Sequence, residues 1–198
     1  MSEIVIDIES PPHLDTSLSA AALDELRAMG LTLDGKSTTR HRGIDPVPGR
    51  PPVRKQAIRA PEVLNEAYYY ALPSSFSRGM RVELPGATML FLSGTASVDE
   101  QGRTVYPGDF QAQCLRTFRN LTQLLASENA SWHDIIRTTC YLRDIERDYD
   151  VFNDVRTLFF KGTGVDPLPA STGIQVRLCR SDLLVEIEAI AMVPTDEV

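Results

Sequence analysis

Leu183-Leu-Val-Glu-Ile-Glu-Ala-Ile-Ala191 is the stretch on which the reading of this chain turns. From Val185 to Ile190 apolar side chains alternate with Glu186 and Glu188, a period of two that predicts a β-strand with one apolar face and both carboxylates on the other. Two readings of the acidic face stay open. The acids either meet solvent on an antiparallel sheet, or one of them points into a binding cleft.

Upstream, Ile174 to Leu178 reads as the partner strand of a final hairpin, with Cys179-Arg180-Ser181-Asp182 as its turn and Pro167 to Gly173 as a loop. Tyr149, Phe152, Val155, Leu158 and Phe159 fall at helical spacing, which predicts a helix over 149–160 closed by Gly162 and Gly164. Ile135 to Leu142 is β-branched and aromatic, a strand. Asp109 can cap a helix running to about Glu128, because Phe110, Cys114, Leu115, Phe118, Leu121, Leu124 and Leu125 recur at steps of three and four. Ser77 to Leu84 and Met89 to Ser93 form a hairpin around Pro85-Gly86-Ala87. The order β-β-α-β-α-β-β predicts an α+β sandwich with two helices on one face of a four- or five-stranded sheet.

Residues 1–60 differ in character from residues 61–198, which carry that compact domain. Ile4 to Ile8 is β-like, and Ser19 to Met29 is rich in helix formers and stops at Gly30. From Asp34 to Ala60, Pro46, Pro48, Pro51 and Pro52 accompany Lys36, Arg40, Arg42, Arg50, Arg54, Lys55 and Arg59 against only Asp34 and Asp45. Such a stretch reads as an extended basic arm that is solvated, grips a sister subunit, or lends an arginine to an anionic substrate. Glu62 to Ala71 reads as a short helix ending in Tyr68-Tyr69-Tyr70, which cannot all be core.

Composition limits the function classes. At 198 residues and 42% hydrophobic, the chain suits one domain with added length, and no apolar run reaches the 18 or so residues of a membrane span. The N-terminus has neither a basic start nor a long apolar stretch, so a cytoplasmic location is expected. Cys114, Cys140 and Cys179 form no CxxC pair, and His13, His41 and His133 no HxxxH or HxH spacing, so neither a metal nor a cofactor is expected. A formal net charge of -7 opposes nucleic acid as a partner.

Five motifs in order then carry a likeness: Phe91-Leu-Ser-Gly-Thr95, Pro107-Gly-Asp109, Thr138-Thr-Cys-Tyr-Leu-Arg-Asp144, Pro169-Ala170 and Val185-Glu-Ile-Glu-Ala-Ile-Ala191. Over roughly residues 76–193 the chain resembles the Rid, or YjgF, family of enamine and imine deaminases. The resemblance implies a chorismate-mutase-like fold, a homotrimer and a small-molecule cleft at each subunit interface. It also implies that the first glutamate of the Glu-Ile-Glu strand, here Glu186, positions the attacking water. The family's binding serine and asparagine match Ser93 and Asn153, and Gly94 and Thr172 adjoin the same motifs. Where deaminase members have a carboxylate-clamping arginine, a tyrosine and a cysteine, this chain has Ser171, Phe76 and Gly173. The expected activity is therefore hydrolysis of an imine, enamine or related C=N or C–N bond in a larger or cyclic substrate, not standard 2-iminoacid deamination. Alternatives are a chorismatase-like enzyme drawing on Arg78, Arg177, Arg180 or the arm, and a trimeric binder without turnover. Ribonuclease activity is the weakest reading.

Overall fold

A computed structural model describes residues 18–31, 43, 46–71 and 74–195, which divide between two units, Met1–Val53 and Arg54–Val198. The β-like start at Ile4 to Ile8 and the arm's Lys36, Arg40 and Arg42 lie outside the described residues. In the first unit, helix α1 (Ala20–Ala28) is capped by Ser19, whose side chain accepts from the Ala22 amide, and none of its residues is buried. Gly30 ends it at φ 69°, a left-handed conformation that costs glycine least.

The second unit is a six-stranded sheet with two long helices, its strands lying in the order β1 (Lys55–Ala57), β2 (Gly79–Leu84), β3 (Ala87–Ala96), β6 (Val185–Pro194), β4 (Ile135–Leu142) and β5 (Ala170–Gln175). Strands β2 (Gly79–Leu84) and β3 (Ala87–Ala96) form the expected hairpin, Leu84 opposite Ala87, with Gly86 turning at φ 73°. Helix α2 (Phe110–Ala126) starts on Asp109, whose carboxylate accepts from the Ala112 amide at 3.0 Å. Strand β4 (Ile135–Leu142) is followed by α3 (Ile145–Thr163), β5 (Ala170–Gln175) and β6 (Val185–Pro194).

The opening stretch is the hub. β6 lies between β3 and β4, antiparallel to both, and its Val185, Ile187, Ala189 and Ala191 are buried under the helices. There they join Phe118, Leu121, Leu124 and Leu125 of α2 and Phe152 and Val155 of α3. The Phe118 ring stacks on Phe159 at 4.7 Å and meets Trp132 edge-on at 5.6 Å. The two-helix, one-face α+β sandwich expected from the sequence is the fold observed.

Four local expectations need correction. β5 is no hairpin partner of β6: it pairs in parallel with β4, Arg137 opposite Ala170 and Leu142 opposite Gln175. It starts inside the expected loop, and all six residues are exposed, so no burial alternation marks this edge strand. The sheet has a sixth strand, because β1 (Lys55–Ala57) of the expected arm pairs with Met80–Val82, beyond the last proline of that segment. Helix α3 begins one turn early, at Ile145, since Asp144 caps it by accepting from the Arg147 amide. Only Ala67–Tyr69 of the expected helix at 62–71 turns helically, as a 3-10 turn whose Tyr69 is 70% exposed, while Tyr70 just after it is buried.

Candidate functional site

Between Leu92 and Thr95 the β3–β6 register slips, a bulge at Ser93-Gly94. The bulge places the backbone of Gly94 against the Glu186 carboxylate, where an added Cβ would lie 2.1 Å from Oε1. Glycine is required there for close approach, not for a left-handed turn. Burial pushes the Glu186 carboxyl above its ordinary range and the Glu188 carboxylate pushes the same way, while Arg180 and Arg78 oppose. Ser93 is fixed from both sides: its hydroxyl donates to the Ser77 carbonyl at 2.7 Å and its amide to the Arg78 carbonyl at 3.0 Å.

Arg78, 5% exposed, extends this group of residues. Its guanidinium lies 4.8 Å from the Tyr70 ring and 5.3 Å from the Phe76 ring, and its Nε donates to the Asn65 carbonyl at 2.9 Å. Arg180 donates to the Gly102 carbonyl. Phe76, Ser93, Gly94 and Glu186 are therefore linked through Arg78 and the bulge.

The remaining expected residues gather elsewhere. Ser171 accepts from Thr138 Oγ1 at 3.1 Å and lies 3.8 Å from the buried Cys140 thiol. Arg156 of α3 donates to Ser171 Oγ at 3.0 Å and also to Asn153 Oδ1, bridging the two. The guanidinium beside Ser171 thus comes from α3 and not from the loop before β5. Asn153 and Arg156 are three residues apart and so share a helix face, the signal that would have found it. Thr172 accepts from Arg137 at 3.1 Å.

The strand registers say which face each residue occupies. Tyr141 opposes Glu186 and Thr139 opposes Glu188, whereas Cys140 opposes the buried Ile187. Paired residues project to the same side. Ser171, in contact with Cys140 and Arg156, is on the helix-covered side, and Glu186 on the other. Two hollows follow this division. One, of about 360 Å³, is lined on the open face by Phe91, Ser93, Arg137, Thr139, Glu188 and Ile190. The other, of about 510 Å³, is bounded by Arg156, Phe160, Lys161, Asp166, Leu168 and Ser171. Among the described residues no cluster of three or more metal-ligating side chains occurs, and no helix is long and apolar enough to cross a membrane.

A six-stranded sheet under two helices, with an acid against a bulged Ser-Gly strand, defines a class of small α+β proteins. The pattern of the endoribonuclease L-PSP family matches residues 73–193, and the chain belongs to that family, the Rid or YjgF family. It is 30% identical over 105 residues to the 3-aminoacrylate deaminase RutC of Acinetobacter baylyi, covering 53% of this chain and 79% of that protein. To the mouse 2-iminobutanoate/2-iminopropanoate deaminase it is 27% identical over 103 residues, covering 52% and 73%. The solved structure of Escherichia coli TdcF with bound serine superposes with a TM-score of 0.57 at 27% identity, covering 70% of this chain and 98% of TdcF.

Proposed function

We propose that the protein hydrolyses the C=N or C–N bond of a small imine, enamine or related vinylogous amide, with Glu186 as the group that positions or deprotonates water. The observation that carries the reading is the Glu186 carboxylate, pressed against Gly94 at the bulge, with burial pushing its pKa above the ordinary carboxylate range. A carboxylate whose pKa is raised is a stronger base than a solvated one, which suits proton transfer from water and on to a developing amine. The two deaminase relatives act on imino and amino compounds of this kind by name, and TdcF holds serine.

The site is completed between copies of the chain, as a homotrimer. Glu186 and Ser171 lie on opposite faces of one sheet, and a strand spacing of roughly 4.8 Å with a rise of roughly 3.3 Å puts them on the order of 14 Å apart. No small substrate meets both in one protomer. The open face also carries Phe91 and Met192, each 39% exposed, with Phe91 opposite Ile190 and Met89 opposite Met192. An apolar sheet face of that kind is the surface a second copy would cover.

The test is turnover of imines generated in situ, comparing wild type with Glu186→Gln, beside light scattering for the assembly. Loss of turnover in a folded trimer supports the proposal. Equal turnover removes Glu186 from the chemistry, a ligand bound without product makes the protein a binder, and a monomer removes the shared site.

A further inference from the structure

We propose that Arg78 and Arg180 are positioning residues for Glu186: two guanidiniums, held beside the Tyr70 ring from separate loops, keep its carboxylate ionised and so able to act as a base. The inference rests on reading Glu186 as the base. It adds the residues that set the charge state of that base, one of them fixed by chain lying ahead of residues 73–193, where the family pattern matches.

Both guanidiniums are held without being neutralised. Arg78, 5% exposed, lies 4.8 Å from the Tyr70 ring, and its Nε donates to the Asn65 carbonyl at 2.9 Å, so two of its supports precede the matched region. Its Nη2 is buried without a hydrogen-bond partner. Arg180 donates to the carbonyl of Gly102, where an added Cβ would lie 2.3 Å from the Tyr70 ring, and its own carbonyl accepts from Arg143. Among the described residues neither guanidinium has a carboxylate at ion-pair distance. A buried charge without a direct partner is costly to keep.

The path from Arg78 to the acid is short. Its carbonyl accepts from the Ser93 amide at 3.0 Å, and Gly94, next in the chain, abuts the Glu186 carboxylate. The charges that act on Glu186 are Glu188 on its own strand, Arg180 in the link before β6 and Arg78 before β2, and the phenol of Tyr141 stands opposite it on β4. Burial and Glu188 favour the protonated acid, and the two arginines oppose them. Glu66 and Tyr70 face Arg78 in turn. Burial pushes the Glu66 carboxyl up, which weakens it as a counter-charge to the guanidinium.

This role has a sign that packing lacks. Removing a nearby positive charge moves the titration of Glu186 to higher pH, whereas loosening the packing around it admits water and moves the titration down toward the ordinary carboxylate range.

The test is carbon-13 NMR titration of the full chain labelled at the glutamate side-chain carboxyl, the Glu186 resonance being the one missing from Glu186→Gln. Arg78→Gln and Arg180→Gln should each raise the midpoint by about half a pH unit or more. Arg78→Lys, which keeps the charge without the planar fork, should restore most of the wild-type value. Glu66→Gln disturbs the same buried group without removing positive charge and should not raise it. The acid limb of kcat/KM for imines generated in situ should move with the midpoint. An unmoved or lowered midpoint in either glutamine variant of the arginines overturns the proposal, as does Arg78→Lys matching Arg78→Gln or a rise of the same size in Glu66→Gln. Should Arg78→Gln fail to fold, Arg180→Gln decides. Midpoints that move as expected while Glu186→Gln turns over like wild type sink the hydrolytic reading, whereas unmoved midpoints beside turnover that requires Glu186 sink the arginine role alone.

Discussion

Replacing Gly94 by alanine should separate the chemistry of this protein from its stability. The new methyl would sit 2.1 Å from Glu186 Oε1 and 3.0 Å from Cδ, whereas comfortable contacts between heavy atoms of this kind begin at about 3.5 Å. The carboxylate must therefore retreat by more than about 1 Å. It can do so, since the obstructing atoms are the end of a flexible side chain. Gly94 is not among the residues with positive φ, so alanine fits the backbone. Forcing Glu186 off its rotamer costs about 0.5–1.5 kcal/mol, and removing a glycine from the unfolded chain offsets this by about 0.4–1 kcal/mol. The net change stays within about 1 kcal/mol, a Tm shift of no more than about 4 °C. A misplacement of this size lowers turnover by about 100-fold. Steady-state hydrolysis of in-situ imines and scanning calorimetry on the same preparations measure both quantities. In the Glu186→Gln background Gly94→Ala should cost nothing more, because the two changes remove one interaction. Turnover within twofold of wild type would refute the reasoning, as would an equal loss in the Glu186→Gln background.

Because folding raises the Glu186 pKa, its ionised form opposes folding: the stability this group contributes is full below its ordinary unfolded pKa of about 4.3 and is lost as pH rises through the raised folded value. Glu186→Gln should accordingly melt higher than wild type at pH 8 and lose that advantage at pH 4, and a Tm difference independent of pH would contradict it. Gln113, 0% exposed, donates to the Tyr106 and Asp182 carbonyls at 3.1 and 2.8 Å and accepts from the Leu184 amide at 2.9 Å, tying the link between β5 and β6 to α2. Gln113→Leu should cost about 3 kcal/mol and on the order of 10 °C in Tm, and a loss under 2 °C would refute that role. Gly102→Ala meets a φ of 77° and Tyr70 ring carbons at 2.3 Å, so about 2 kcal/mol or more should be lost in urea unfolding, and an unchanged midpoint would count against it.

The elements legible in the sequence are those with one wet and one dry side. β6 alternates strictly because one face lies under two helices, and α2 carries its stripe because Phe118 to Leu125 bury on that same face. Where both faces or neither are buried, the pattern vanishes. β5 is exposed throughout and is held only by backbone pairing to β4, so residues 170–173 read as loop. β1 hides among prolines and cations, and the first turn of α3 is too charged, with Glu146, Arg147 and Asp148, to look periodic. Of the candidate site, the motifs led to Ser93, Gly94 and Glu186, which do adjoin one another. They gave no hint that Ser171 faces the other way, since facing depends on strand register. Arg156 escaped because a cation on a helix is ordinarily solvated, and only its contact with Ser171 distinguishes it.

The sheet that separates Glu186 from Arg156 also separates their failures. A chain damaged at the acid still presents an intact guanidinium on its far side, and a chain damaged at the guanidinium still presents an intact acid. In the shared site proposed above, two such chains, each inert by itself, would rebuild some whole sites from their undamaged halves when refolded together. In genetic terms the two positions would complement each other, as though one polypeptide carried two genes.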